Sequence, residues 1–273
     1  MIKGKYTFRF MIEYFTYWYL FPVGIIIAIL AISGGISGTN FWIPVYLIWL
    51  KIEPKTGFWL ALLTMIFGFG SGIIKNLKQK TINGYIVKQY LKITIPAAIF
   101  GTLLVPVAPA KSLIIAFASF VFLYGSFAIW RYGIKPKEEV EEHETVYWVT
   151  AAIAGFLKGL IATGLGKLIL PGIIHHKKVQ NYAEAVGSTI FIIFITNIIA
   201  VLFRLTPSFM SVLQMQATNI FAIMIWVAPA VFIGGQIGPI IARKLSLKHA
   251  RVYVGLLLIF VSALMFIRAF TLI

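Results

Sequence analysis

The chain has 273 residues; 60% are hydrophobic, only 12% are charged, and the mean hydropathy is +0.93. Soluble domains carry about 25% charged residues, so a soluble globular, disordered or coiled-coil protein is excluded and a polytopic, all-α membrane protein remains. The 24 Lys and Arg against 8 acids give a net charge of +16, which on so apolar a chain reads as loops obeying the positive-inside rule and not as a nucleic-acid surface.

A helix crossing ~30 Å of hydrocarbon needs about 20 apolar residues. Lys3, Lys5 and Arg9 precede a first block, residues 14–50, which is too long for a signal peptide and reads as a retained span. That block is interrupted at 34–40. Blocks 56–74, 93–108 and 112–130 follow, then a charged linker. The second half offers 146–174, interrupted at 162–166, then 184–203, 217–242 and 252–273.

The halves repeat. A shift of 127 residues, the distance from Pro44 to Pro171, also carries Lys51 onto Lys178 and Ala61 onto Ser188. A shift of 133, the distance from Pro96 to Pro229, carries Ala97 onto Ala230, Gly101 onto Gly234 and Pro106 onto Pro239. The expected organisation is a first transmembrane repeat in 1–133, a cytoplasmic linker in 134–145 and a second repeat in 146–273. Matching loops carry opposite charge bias. Lys75, Lys78, Lys80, Lys88 and Lys92 answer to Arg204 alone, whereas Lys111 alone answers to Arg243, Lys244, Lys248 and Arg251. Swapped bias predicts two inverted repeats. Each would then be a broken segment returning as a helical hairpin plus three transmembrane helices.

The breaks carry the chemistry. The first contains Ser37, Gly38, Thr39 and Asn40; the second contains Thr163, Gly164, Gly166 and Lys167. Backbone groups freed at a break cannot stay bare in lipid and must face protein, a cavity or a ligand. A half-helix start with unpaired N–H groups suits an anion. Asn40 and Lys167 occupy equivalent positions, one as a neutral donor and one as a cation. Lys158 lies about 18 Å along its apolar segment, where a cation costs on the order of 2.5–3.5 kcal/mol, and no carboxylate lies inside a clear span to pair with it. Lys158 and Lys167 are therefore expected to compensate an anionic substrate.

Other polar residues are weaker signals. Ser188 begins a helix and is a candidate substrate contact; Glu184, the acid nearest to a span, is the candidate for ion coupling. Asn197 and Gln236 read as amides hydrogen-bonding between helices. His175, His176, Lys177 and Lys178 read as a basic interfacial loop, and the five Glu of residues 138–144 as a solvated linker. There is no Cys and no Asp. No metal or other cofactor is expected, and a membrane-embedded enzyme is poorly supported.

Gly35, Ile36, Ser37 and Gly38 through Pro44 resemble the G-I-G-G-G-x-x-x-x-P element of the sulfite exporter TauE/SafE family. Gly164, Leu165, Gly166 and Lys167 through Pro171 resemble a degenerate second copy. Glu184, Ala185, Val186, Gly187 and Ser188 carry the family's A-V-x-x-S element, eroded in the first half to residues 57–61. Pro96 to Gly101 and Pro229 to Gly234 match its P-x-x-x-x-G pattern. The likeness runs over residues 20–272. Two departures fall at the proposed site: Thr39 and Asn40 replace Gly-Phe, and Lys167 replaces an apolar residue.

The resemblance implies a transporter, usually an exporter, of small sulfur-containing anions such as sulfite, sulfoacetate or other organosulfonates. The expected partners are that small anion and the lipid bilayer of the cell membrane, with no nucleic acid. The expected mechanism is alternating access around a midplane anion site. The alternative is a uniporter or channel for another small anion, driven outward by ~2.3 kcal/mol per charge per 100 mV of inside-negative potential.

Overall fold

The computed structural model describes residues 14–33, 37–131, 143–242 and 247–271, which form helices joined by turns. Helix α1 is Leu20–Ser33. Helix α2, Thr39–Pro44, runs on into a π-helical turn, Val45–Trp49. Then come α3 (Pro54–Lys78), α4 (Gly84–Leu103), α5 (Ala110–Ile129), α6 (Trp148–Ile161), α7 (Leu165–Ile174), α8 (Tyr182–Phe203), α9 (Pro207–Met215), α10 (Ala217–Ala242) and α11 (Leu247–Thr271). Among the described residues five stretches are long and apolar enough to cross a bilayer: Pro54–Lys78, Ala110–Ile129, Tyr182–Phe203, Ala217–Ile237 and Val252–Thr271. Large apolar side chains such as Phe100, Leu123, Trp148, Phe260 and Phe270 stand outward, as a protein solvated by lipid requires. The fold is an all-α, multi-pass membrane architecture.

Each broken segment doubles back. In the first half Tyr19, just before α1, stacks on Trp49 at the end of the π turn, with centroids 5.2 Å apart and planes at 19°. In the second half His143, before α6, forms a bridge with His176, after α7. The His143 N–H donates to His175 O at 2.9 Å, and the Lys177 N–H donates to His143 O at 3.0 Å. The start of α6 and the end of α7 therefore lie together, and the chain between them is a hairpin. Its tip turns on Ala162 at φ 61° and Gly164 at φ 98°. Gly164 suits the second position because a Cβ resists positive φ.

Two helix pairs that match at the sequence spacings, α3 with α8 and α5 with α11, run antiparallel. Along α3 and α8, Trp59 Nε1 donates to Val201 O at 3.2 Å. A Cβ on Gly70 would meet Phe194 and one on Gly72 would meet Ile190, so α8 numbering falls as α3 numbering rises. Along α5 and α11, Ser262 Oγ donates to Ala118 O at 2.9 Å, Gly125 packs on Gly255, and Lys111 lies over the Phe270 ring. Each hairpin is gripped by a helix of the other half: α6 by α4 and α1 by α10. Gly159 sits so close to Ala98 O of α4 that any Cβ would collide with it, and Gly234 of α10 packs on Ile25 and Ala28 of α1.

Two boundaries differ from expectation. Helix α4 begins at Gly84 and not at 93, because the Asn83 side chain caps it by accepting from the Ile86 N–H at 3.1 Å. Helix α9 was not anticipated; Thr206 as its cap and Pro207 at its first position were the available signal. The expectations for residues 34–36, 134–142 and 243–246 lie outside the described residues.

Candidate anion site at the two breaks

The two breaks meet. Asn40, in the first turn of α2, and Lys167, in the first turn of α7, are both buried. Lys167 Nζ donates to Asn40 Oδ1 at 3.3 Å. Thr163 Oγ1 donates to the same oxygen at 2.8 Å. Asn40 Nδ2 donates to Ser37 O at 2.7 Å, and Ser37 Oγ lies 2.9 Å from Thr39 Oγ1. Gly38 begins α2, its carbonyl accepting from the Phe41 and Trp42 N–H groups at 3.0 Å. Ser37, Gly38, Thr39, Asn40, Thr163, Gly164 and Lys167 thus form one polar cluster inside an apolar shell. Lys167 Nζ also lies 4.5 Å from the Tyr124 ring centroid and 5.6 Å from that of Phe120. Electron-rich ring faces attract a cation without neutralising it.

Lys158 is buried one turn before the hairpin tip, and its Nζ donates to Ala162 O at 3.0 Å. That oxygen lies at the C-terminal end of α6, where the helix dipole favours a cation. Among the described residues neither Lys158 nor Lys167 has an ion-pair partner. At the position 127 residues before Lys158, the spacing of Asn40 and Lys167, stands Ala31, which lines an apolar cavity of about 20 Å³ with Gly38, Trp42 and Met65.

The remaining candidates lie elsewhere. A Cβ on Gly166 would meet Ile193 of α8 at 2.7 Å, so this glycine sets how closely α7 approaches α8. Ser188 is fully buried, and its Oγ accepts from the Asn83 N–H at 2.9 Å, tying α8 to the start of α4. Glu184 stands in the first turn of α8. Its Oε1 accepts from Asn83 Nδ2 at 3.0 Å and its Oε2 from the Gln180 N–H at 2.7 Å. Both of its oxygens serve that helix start rather than the break cluster.

The profile of the sulfite exporter TauE/SafE family matches residues 20–265. The chain belongs to the sulfite exporter TauE/SafE family. Comparison with curated proteins and with solved structures returned no match. As a member of TauE/SafE, it is a multi-pass membrane protein of a transporter family.

Sequence reasoning missed one cation of this TauE/SafE chain. Arg204 reads as a loop residue, yet it is 4% exposed at the C-terminal end of α8. Its Nη2 donates to Gly159 O at 2.6 Å and Leu160 O at 3.1 Å, carbonyls in the last turn of α6. Nothing in the local sequence, a lone Arg between a span and a Pro, distinguishes it from an ordinary interfacial cation. Gln236 bonds between helices as expected, its Nε2 donating to Ser71 O at 3.2 Å. Asn197 does not: neither Nδ2 nor Oδ1 has a partner although the residue is fully buried.

At the base of the second hairpin, Glu144 pairs with Lys177 at 2.8 Å. The hydrogen bond and charge of Lys177 hold its carboxyl below the usual carboxylate range. His176 is buried; desolvation, then the neighbouring His143, hold its imidazole below the usual range. Among the described residues no group of three or more His, Asp and Glu is placed to hold a metal ion.

Proposed function

We propose that this protein moves small sulfur-containing anions, sulfite and organosulfonates such as sulfoacetate, outward across the membrane through a site built from both breaks. The observation that carries this reading is the meeting of Asn40, Thr163 and Lys167, with Lys158 one turn away. Among the described residues the two buried ammonium groups have no carboxylate partner, and a buried charge without a counter-charge is strongly unfavourable. A small oxyanion supplies both the charge and the acceptor lone pairs. Ser37, Thr39 and Thr163 are hydroxyl donors, Asn40 Nδ2 is an amide donor and Lys167 Nζ provides charge. Gly38 and Gly164 let Met65 and Phe120 pack closely on the two tips.

In this reading the halves are inverted repeats that rock about the shared cluster to expose it to each side in turn. The antiparallel runs of α3 with α8 and of α5 with α11 support that relation, as does the grip of each hairpin by a helix of the other half. The charged linker and the lysine-bearing end of α3 and start of α4 then face the cytoplasm. With Glu184 engaged at the start of α8, the cluster holds no carboxylate among the described residues to carry a coupling proton. This favours an anion flux driven by membrane potential as the second reading.

The test is sulfite flux and equilibrium sulfite binding in purified protein, repeated with Lys167→Gln. The expected result is saturable flux and at least a tenfold weaker affinity in the variant. Unchanged binding by Lys167→Gln overturns the assignment, and flux that never saturates favours a channel.

A further inference from the structure

Helix α8 turns one face toward the second hairpin, and the buried polar atoms left without partners on this helix fall on that face. A Cβ on Gly166 would meet Thr189 and Ile193, which fixes the direction of the face. Asn197 follows Ile193 by one turn and Arg204 follows Asn197 by seven residues, so both lie within about 40° of the Ile193 direction. Arg204 does meet the hairpin, through Gly159 O and Leu160 O. Asn197 Nδ2, Asn197 Oδ1, Arg204 Nε and Arg204 Nη1 are buried and have no hydrogen-bond partner.

Capping the end of α6 accounts for one nitrogen of the guanidinium. It does not account for Nε and Nη1, which carry charge in a place with no carboxylate among the described residues to pair with them. Nor does helix packing account for Asn197, whose amide would be served by an apolar residue of similar size if it had no ligand. Along the helix the two residues stand about 10.5 Å apart, and helical side chains tilt toward the N-terminus, which turns the Arg204 side chain toward Asn197.

We infer that Asn197 and Arg204 form a second anion-holding position, separate from the Asn40–Lys167 cluster, on the face of α8 that lines the broken hairpin. Its ligand is a small oxyanion, which accepts from Asn197 Nδ2 and from Arg204 Nε or Nη1. This inference rests on the proposal that the protein carries anions, and it adds a step: the ion leaves the cluster at the hairpin tip and is received by α8 beside the end of α6.

Selenite, a sulfite analogue whose selenium scatters anomalously, tests the position in the unaltered protein. A selenium peak whose selenite oxygens reach hydrogen-bond distance of Arg204 Nε or Nη1, or of Asn197 Nδ2, is expected. Ordered water alone on these atoms, with selenium only beside Lys167, overturns the inference and leaves the break site standing. Flux provides the second arm. Arg204→Lys keeps a cation to cap Gly159 and Leu160 but removes the guanidinium donors, and Asn197→Leu keeps the volume. Each is expected to lower sulfite flux at least fivefold in protein of wild-type melting temperature. Wild-type flux in both variants overturns the inference. Lys167→Gln with undiminished sulfite binding overturns the break-site reading instead, so the two failures are distinguishable.

Discussion

Asn40 and Lys167 stand 127 residues apart, at matching places in the two breaks, and they touch: Lys167 Nζ donates to Asn40 Oδ1 at 3.3 Å. The contact joins the tips of the two breaks. It is also unequal, an amide against an ammonium, and that leaves positive charge where the breaks meet.

That inequality makes a sharp prediction for Asn40→Asp. A carboxylate there faces Lys167 directly and supplies the counter-charge that the anion is proposed to bring. The variant is expected to fold, to melt no lower than wild type, and to bind sulfite at least tenfold more weakly, a change of about 1.4 kcal/mol. Asn40→Ala is expected to lose less affinity, because it removes a donor without neutralising the lysine. Binding isotherms for both variants check the order.

Gly164 at φ 98° is a position where a side chain is strained. Gly164→Ala is expected to destabilise the hairpin by about 1–2 kcal/mol, and the added Cβ would also meet Phe120 at 3.1 Å. Ala162 at φ 61° is the reverse case, and Ala162→Gly is expected to be neutral or stabilising. A pair of thermal unfolding curves in one detergent decides it; equal melting temperatures would count against the strain argument.

Gly159 allows α6 to lie against the backbone of α4 at Ala98, where Thr102 Oγ1 also reaches Gly159 O at 3.4 Å. Gly159→Val forces the two helices apart. Overpacking of this kind costs about 1–3 kcal/mol, and displacing α6 also moves the carbonyls that hold Arg204. The variant is expected to fall in both melting temperature and flux, measured on the same preparation.

The base of the second hairpin is expected to loosen in acid. Burial lowers the His176 pKa, so the unfolded segment binds the proton more readily than the folded one. The stability this contributes is present above the unfolded value of about 6.5 and is lost as pH falls below it. Glu144, lowered by Lys177, acts in the same direction at more acid pH, its contribution being lost as the carboxylate is protonated. Hydrogen-exchange protection of the His143 and Lys177 amides, which hold the bridge, should therefore drop between pH 8 and pH 5.5, by the direction of these shifts. His176→Gln should remove most of that difference.

Much of this was legible in the sequence because hydrocarbon imposes few solutions. Span lengths and the two Gly-rich interruptions follow from apolar run length and from where a helix cannot continue. The same rule places Lys158 and Lys167 as buried cations, since nothing else in their segments is charged. Helix caps were less legible: Asn83 extends α4 back into a lysine-bearing stretch because a single side-chain acceptor outweighs the polarity of the residues that follow.

Composition and apolar run length alone determined that the chain is an oily helical membrane protein with lysines inside an apolar segment. Only the tertiary structure decided which polar groups share a site. Ser188 and Glu184 turn to Asn83 and the start of α4, whereas Arg204, written like a loop cation, is drawn under the end of α6. The physical reason is that a side chain's partner is set by which helix crosses above it. That crossing depends on close approaches between distant segments, such as Gly159 against Ala98, which no local pattern encodes.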